Sequence, residues 1–468
     1  MTSAKSIIPV EMESALLHAY KTAHPEETIG FFRKSKAVGD SFQASTSILG
    51  LKPYETLQCD GGANVVTTRT KVFYEDGHPF TALEQRMKHR LELLDHPFFK
   101  GGAMGYFSFD AVRFLEDTLP QVKKQVSESR FDAEVVFFQF YLLFDHEAKT
   151  VEILNILGDE SGISELEKEL GTLLEKYPHT PFQDKAVEPY PVEKMQSLYG
   201  KDAFLKDILR LKEHIRDGDI FQAVLSERFQ APFTGDPLQL FETLSRISPA
   251  PYQFYFTIEG RHYFGASPEM LLQNQGGELE THPIAGTRPR GNTPEEEAEK
   301  ERELLADTKE KAEHLMLVDL SRNDLGRVSS PGTVKVESFQ KVRKFGGVMH
   351  LVSVVKGMKI DSLSPIRAFS SCFPAGTLSG APKIRAMQLL SGLEREPRGF
   401  YGGAFIVSGF DGDIDSCISI RSISVVNGVA SIQAGAGIVA DSVPETEYAE
   451  VLHKTRLTRL ALAKVSQS

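Results

Sequence analysis

The 468-residue sequence has no tryptophan and only three cysteines, Cys59, Cys372 and Cys417. The missing tryptophan excludes little. Enzymes that make an amino acid sometimes avoid it, and chance or lineage bias removes it as readily. The three cysteines lack the paired spacing of a zinc site, and so few unpaired thiols suit a reducing cytosol. No run of about 18 apolar residues occurs, so no membrane-spanning helix is expected. The opening MTSAKSIIPVEMESALLHAY lacks the sustained apolar stretch of a secretory signal. A cytoplasmic protein is expected. Positive charge is in deficit, with 53 Lys and Arg against 64 Asp and Glu and a net charge of −11. Such a chain repels polyanions, which argues against a nucleic-acid partner. A small anionic substrate would need a local basic or metal site. Internal repeats and low-complexity tracts are also absent.

The length implies more than one small core. Residues 11–23 have helical periodicity ended by Pro25, and residues 31–32 and 41–51 alternate as strands do. GGAMGYFSFDAVRFLED (101–117) suggests a strand followed by a helix, and residues 133–157 two buried strands around a polar turn. An amphipathic helix is expected over 164–177. Pro178, Pro181, Pro189 and Pro191 crowd the next stretch and mark a linker. Beyond it come a helix over 202–218 and a strand over 220–233. Strands and helices then alternate without a doubly wound rhythm. The expectation is an α+β protein with an N-terminal part over 1–185 and a C-terminal part over 195–465.

Several constellations could carry chemistry. Glu310 and Glu313 stand three apart in ADTKEKAEHLMLVDL, as do Glu447 and Glu450 in PETEYAEVLHKTR, with Lys454 four further on. On helices, each pair shares one face. Two such faces could hold Mg²⁺, a hard ion that takes oxygen ligands. By spacing alone, a solvated face with i,i+4 ion pairs is the favoured reading. IAGTRPRG (284–291) resembles an anion-binding turn, although most such turns are structural. QAGAGIV (433–439) has the small residues that let amides approach a carboxylate, or simply pack a strand tightly. CFPAGTLSGAPKIRAM (372–387) offers Thr377 and Lys383, with Ser379 as a possible helix cap. His350 lies in the apolar VMHLVSVV, where a histidine is usually a satisfied core residue, and Arg421 ends IDSCISIRS, ordinarily a surface charge. None of these decides a function alone.

Their order does. GDIFQAVLSERF, GASPEMLL, PIAGTRPRG, EKAEHLMLVDLSRNDLGRV, VMHLVS, CFPAGTLSGAPKIRAM, YGGA and QAGAGIVADSVPETEY follow one another as in the chorismate-utilising enzymes, which the chain closely resembles. The resemblance is dense over about 200–460 and thins before that to GGAMGYFSFDAVR. It implies two face-to-face antiparallel β-sheets with outer helices, chorismate as substrate and Mg²⁺ as cofactor. It implies Glu310, Glu313, Glu447 and Glu450 as metal carboxylates, with Glu313 and Glu450 the most direct. Tyr401, Arg421 and the amides near Gly435 and Gly437 would hold the enolpyruvyl carboxylate. Ala285, Gly286, Thr287, Lys454 and Thr377 would line the site.

The family includes anthranilate, aminodeoxychorismate, isochorismate and salicylate synthases. Members that add water at ring C2 carry a lysine base where this chain has Gln222, which cannot deprotonate water. Aminodeoxychorismate synthases typically read PIKGT with a nucleophilic lysine, and here the word is PIAGT with Ala285. Both departures point to ammonia as nucleophile, as in anthranilate synthase component I. Aminodeoxychorismate synthase component I and a non-catalytic docking subunit remain the alternatives. In the expected reaction Glu269 of GASPEM protonates the departing C4 hydroxyl and His350 takes the C2 proton. No cysteine lies in a Gly-x-Cys-x-Gly elbow, so a separate glutamine amidotransferase subunit is implied, and with it a hetero-oligomer. Tryptophan-inhibited relatives carry Leu-Leu-Glu-Ser and Asn-Pro-Ser-Pro-Tyr-Met words. This chain reads FFRKS (31–35) and SPAPYQ (248–253), placing Arg33 and Lys34 where an acid is expected. Gly346 and Gly347 depart from the usual Ser-His and are expected to loosen the strand of His350.

Overall fold

The computed structural model describes residues 2–39, 41–88, 99–119, 131–158, 160–179, 186–345 and 348–466. Gly346, Gly347 and the middle of the proline-rich linker lie outside the described residues. Every strand pairing among the described residues is antiparallel, and the pairings join into one ladder that folds over on itself. One limb runs Gln222–Pro232, Val429–Ile438, Ser422–Val426, Arg261–Ser267, Tyr252–Ile258 and Ile29–Val38 to Ser41–Asp60. The other runs from Ala133–Asp145 through Gly102–Phe107, Ala404–Gly409, Ile414–Ile418, Met270–Gln275 and Glu278–Thr281 to Val348–Met358. Ile284–Pro289 and Lys335–Phe345 flank that last strand.

The fold-over is built on Ser41–Asp60. Its first half pairs with Ile29–Val38 and its second with Ala63–Thr68. Between them Lys52 has φ 55°, and the register against Ala133–Asp145 slips between Pro53 and Glu55. A bulge of this kind bends a strand, so one strand can serve both limbs.

The limbs pack face to face through aromatic rings. Phe254 of the first stacks on Phe405 of the second at 4.7 Å and 8°, and Tyr263 meets Tyr106 at 4.6 Å. Side chains alternate along a strand, so Phe32 points into this layer and stacks on Phe405, while Phe31 points outward to Phe241. Outer helices Glu13–Ala23, Glu160–Lys176, Lys201–Arg216, Pro237–Ile247 and Arg456–Ser466 cover the first limb's outer face with a second apolar cluster. On the second limb, Phe80 of helix Pro79–Lys88 stacks on Phe107 at 4.6 Å. The expected α+β architecture of paired antiparallel sheets and outer helices is what the chain adopts. Strands from residues 1–185 pair directly with strands from residues 195–465, as Ile29–Val38 does with Tyr252–Ile258. No helix among the described residues is long and apolar enough to cross a membrane.

Candidate active site

The site lies where the end strands of the two limbs meet the helices Thr308–Gly326 and Pro444–Lys454. His350 sits on Val348–Met358 opposite Thr287 of Ile284–Pro289. That pairing slips between Ala285 and Thr287, and Gly286 there has φ 65°, a conformation glycine adopts without strain. The Gly286 carbonyl reaches His350 Nδ1 at 2.9 Å, with the Thr287 hydroxyl at 3.1 Å from the same atom. A carbonyl only accepts, so Nδ1 carries the proton and the neutral ring keeps its lone pair on Nε2. Burial pushes the His350 pKa down to about 4, against the Gly286 bond, and the charges of Arg421 and Lys454 add to it. The imidazole is thus held as a neutral base. Ala285 pairs with Leu351 on the same ladder, and its methyl brings no amine to this strand.

Glu269 is its counterpart. It is buried beside the strand Met270–Gln275, and the Thr377 hydroxyl donates to its Oε1 at 2.9 Å. Burial raises its pKa to about 8, outweighing the Thr377 bond and the Lys454 charge. A carboxyl that keeps its proton at neutral pH is an acid in waiting. Thr377 serves by holding Glu269, on the short helix Gly376–Ser379. Ser379 is not a cap: its hydroxyl donates to the Ala375 carbonyl, and helix Lys383–Leu393 starts without a side-chain cap. Lys383 is bonded to Asp324 at 2.7 Å.

Gly435 is a junction. Its amide donates to the Tyr401 hydroxyl, and its carbonyl accepts from Lys454 Nζ at 2.9 Å. Lys454 also pairs with Glu450 at 2.7 Å. Close approach explains the glycines. A Cβ on Gly435 would fall 2.9 Å from the Leu225 carbonyl, and one on Gly437 would fall 2.4 Å from Gln222 Nε2. Tyr401 is buried and held protonated by that burial. Arg421 is in the left-handed region, φ 49°. Among the described residues its side chain has no hydrogen bond or ion pair, and burial alone lowers its pKa. A half-buried guanidinium without an anion is a ready partner for a carboxylate.

The four glutamates occupy two helix faces as their spacing predicts. Asp307 caps Thr308–Gly326 through the amides of Lys309 and Glu310, which places Glu310 in the first turn. Burial raises the pKa of Glu313, and the negative charges of Glu310 and Glu450 raise it further. Burial likewise raises Glu447, and Glu450 adds to that. The two helices therefore bring their carboxylates within electrostatic reach of each other. Glu310 meets Arg288 at 3.1 Å, and Glu313 accepts from Gln222 Nε2 at 3.2 Å. Among the described residues no three His, Cys, Asp or Glu side chains stand close enough together to hold a metal ion as they are.

Two features escape a reading of the sequence. The arginines of IAGTRPRG are consumed by the chain's own carboxylates, Arg288 by Asp307 and Glu310 and Arg290 by Glu297, so this is not an open anion-binding turn. Gln222 is more than a missing lysine, because it anchors Glu313 across 91 residues of sequence. The acid-rich run after IAGTRPRG is a signal that could have found the first. No local pattern announces the second.

Known proteins resemble this chain in sequence and fold. Anthranilate synthase component 1 of Bacillus pumilus is 42% identical over 449 residues, 92% of this chain and 86% of that protein. The Aquifex aeolicus protein of the same name is 36% identical and covers 85% of this chain and 81% of its own length. Among solved structures, anthranilate synthase component I from Streptococcus pneumoniae superposes with TM-score 0.78 at 34% identity, covering 90% of this chain and 94% of that one. The menaquinone-specific isochorismate synthase of Escherichia coli, 18% identical with TM-score 0.63 over 96% of this chain and 99% of that one, shares the fold. A family model described as chorismate binding enzyme matches residues 34–459, and the chain belongs to that family.

Proposed function

We propose that this chain converts chorismate and ammonia to anthranilate and pyruvate, the activity of an anthranilate synthase component I. The observation that carries the reading is an opposed pair: Glu269, held protonated up to about pH 8, and His350, held neutral down to about pH 4. An acid and a base kept apart in this way suit a reaction that expels a hydroxyl and later removes a ring proton. The relatives at 36–42% identity, which carry that name, support it.

Glu310, Glu313, Glu447 and Glu450 fit a hard divalent cation. They are oxygen donors only, on two faces close enough to perturb one another's ionisation. We assign Mg²⁺ to them, with Glu313 and Glu450 as the direct ligands. Bound there, the ion would supply electron withdrawal at a substrate carboxylate. The remaining chemistry falls to the chain. Arg421, Tyr401 and the backbone at Gly435 and Gly437 hold the enolpyruvyl carboxylate. Ammonia forms a bond to C2, the ring double bonds shift, and the C4–O bond breaks. Glu269 gives its proton to the departing hydroxyl, so water leaves and 2-amino-2-deoxyisochorismate remains. His350 then takes the C2 proton through Nε2 as the C3–O bond breaks and the ring becomes aromatic, and the enolpyruvate that leaves gains a proton to become pyruvate. Thr287 and Gly286 hold the imidazole, and Thr377 holds Glu269.

Ammonia reaches the site from glutamine through a separate amidotransferase subunit in a hetero-oligomer, and the complex works in the cytoplasm. The purified chain with chorismate, Mg²⁺ and ammonium salts should yield fluorescent anthranilate, and no product from glutamine. Aminodeoxychorismate as the product would overturn the assignment, and turnover from glutamine without a second protein would remove the missing-subunit claim.

A further inference from the structure

The strand Ile29–Val38 separates two cavities. The one on the Phe31 and Arg33 side measures about 260 Å³ and lies between helices Glu13–Ala23 and Pro237–Ile247, with His179 at its edge. It shares no residue with the site described above. Its lining residues carry a cluster of polar atoms without partners: Glu13 Oε1, Glu242 Oε1, Thr243 Oγ1, Ser245 Oγ and Arg33 Nε. Glu13 is 5% exposed and Thr243 0%. Folded proteins keep such atoms few, and five around one cavity call for a common partner.

The chemistry of that partner follows from what is already engaged. Arg33 donates to Glu13 and to Gln253 Oε1, each at 2.8 Å, and lies 5.2 Å over the Phe31 ring. His179 faces Glu242 at 3.2 Å. Apart from Arg33 Nε, and with Arg246 also in the wall, the unpartnered atoms are two carboxylate oxygens and two hydroxyls, so acceptor capacity is the larger part of the surplus. The rest of the wall is apolar, with Leu17 beside Phe31 and Phe241, whose rings meet at 5.9 Å and 69°. A cavity of roughly 150 Å³ accepts benzene, so this one has room for a ring and a short arm.

We propose that this cavity binds a small organic ammonium ion, a primary amine on an apolar body. The ammonium stands against Glu13 and Glu242 with the Thr243 and Ser245 hydroxyls, and the body rests on Leu17, Phe31 and Phe241. Calorimetric titration of the full chain with 2-phenylethylamine, 2-phenylethanol and ammonium chloride tests it. The amine should bind saturably, and the alcohol and the bare ion at least about tenfold more weakly, since a charge-assisted hydrogen bond is worth that much. Glu242→Gln, which keeps the size of the side chain, should weaken the amine about tenfold, and Thr243→Val by a smaller factor. Both variants should turn over chorismate at the normal rate. Absence of saturable amine binding below about 10 mM would mean a cavity holding water only and would overturn the proposal. Equal binding of the alcohol, or amine binding unchanged in both variants, would do the same.

Discussion

The strand Ile29–Val38 and the cleft around His350 both crowd charges into partly buried space, and they treat them in opposite ways. On the strand, Arg33 is bonded to Glu13 at 2.8 Å and Lys34 to Asp415, so each cation has its anion within the chain. In the cleft, Arg421 has no anion among the described residues, Glu269 keeps a proton instead of finding a cation, and Glu313 is pushed up by burial and further by its like-charged neighbours. Burying an uncompensated charge is unfavourable. A fold that tolerates several in one place leaves them for a substrate and an ion to complete. In the cleft it is whole charges that lack a partner, whereas beside the strand the ions are paired and only single atoms, such as Glu13 Oε1, are left over.

The comparison breaks most visibly at the glutamates. Glu313→Gln and Glu450→Gln each remove a hard anionic donor and should reduce turnover by on the order of 10²-fold or more, with the fold intact by circular dichroism. Near-normal turnover in both variants at saturating Mg²⁺ would take them out of the site. His350→Ala comes next. Only pyruvate elimination needs a base at C2, so 2-amino-2-deoxyisochorismate should accumulate while its conversion slows by roughly 10²- to 10⁴-fold. Equal slowing of both steps, followed by chromatography of the quenched reaction, would make His350 structural or assign it to the first step.

Glu269 sharpens the comparison through pH. Its pKa in the folded chain is raised from 4.5 to about 8. The folded state therefore holds the proton more tightly than the unfolded one. Its stabilising contribution is complete below pH 4.5, shrinks as pH rises, and is lost once pH passes about 8. Glu269→Gln cannot ionise. Its melting temperature should gain on that of the unaltered chain from about pH 4.5 upward, with the gap levelling above about 8. The same substitution should slow amination by roughly 10²- to 10⁴-fold. In the unaltered chain, the rate per free NH₃ should fall above about pH 8. A pH-independent gap in melting temperature would show that this carboxyl is ionised in the fold.

Most of this was legible in the sequence, for a physical reason. Carboxylates three apart in a helical period share a face wherever the helix goes, so Glu310 with Glu313 and Glu447 with Glu450 needed no structure. The ordered motifs named the family, and the resemblance, not any local alternation, implied the two packed sheets. What stayed hidden depends on distant partners. The protonation states of Glu269 and His350 come from burial, which no window of residues reports. Arg288 looked available until Asp307 and Glu310 closed on it. Arg33 and Lys34 looked like two cations acting together, yet the pleat sends them to opposite faces.

That last point reshapes the smallest expected effect. Lys34, Ser35 and Asp415 line the second cavity beside the strand, about 380 Å³, and Arg33 does not. If the family's tryptophan site has a counterpart here, this is its place, because the Ser35 amide is bonded to the Pro251 carbonyl of SPAPYQ at 2.8 Å. An α-ammonium entering it meets the Lys34 ammonium, and the nearby Asp415 carboxylate is already bonded to that lysine. Tryptophan should therefore inhibit weakly or not at all. The cavity also carries Lys36, paired with Glu147, and Asp145, Asp411 and Asp413; at the strand itself the obstacle is Lys34 with its occupied partner Asp415, a narrower cause than two repelling charges. Lys34→Ala removes the first and frees the second. It should improve tryptophan inhibition by about tenfold or more, the worth of one charge-assisted hydrogen bond. Arg33→Ala should leave tryptophan inhibition unchanged, because that side chain faces the other cavity. Titration of anthranilate formation with tryptophan separates these outcomes. Half-inhibition of the unaltered chain at micromolar tryptophan would show that Asp415 or another acid already serves the ammonium with Lys34 in place.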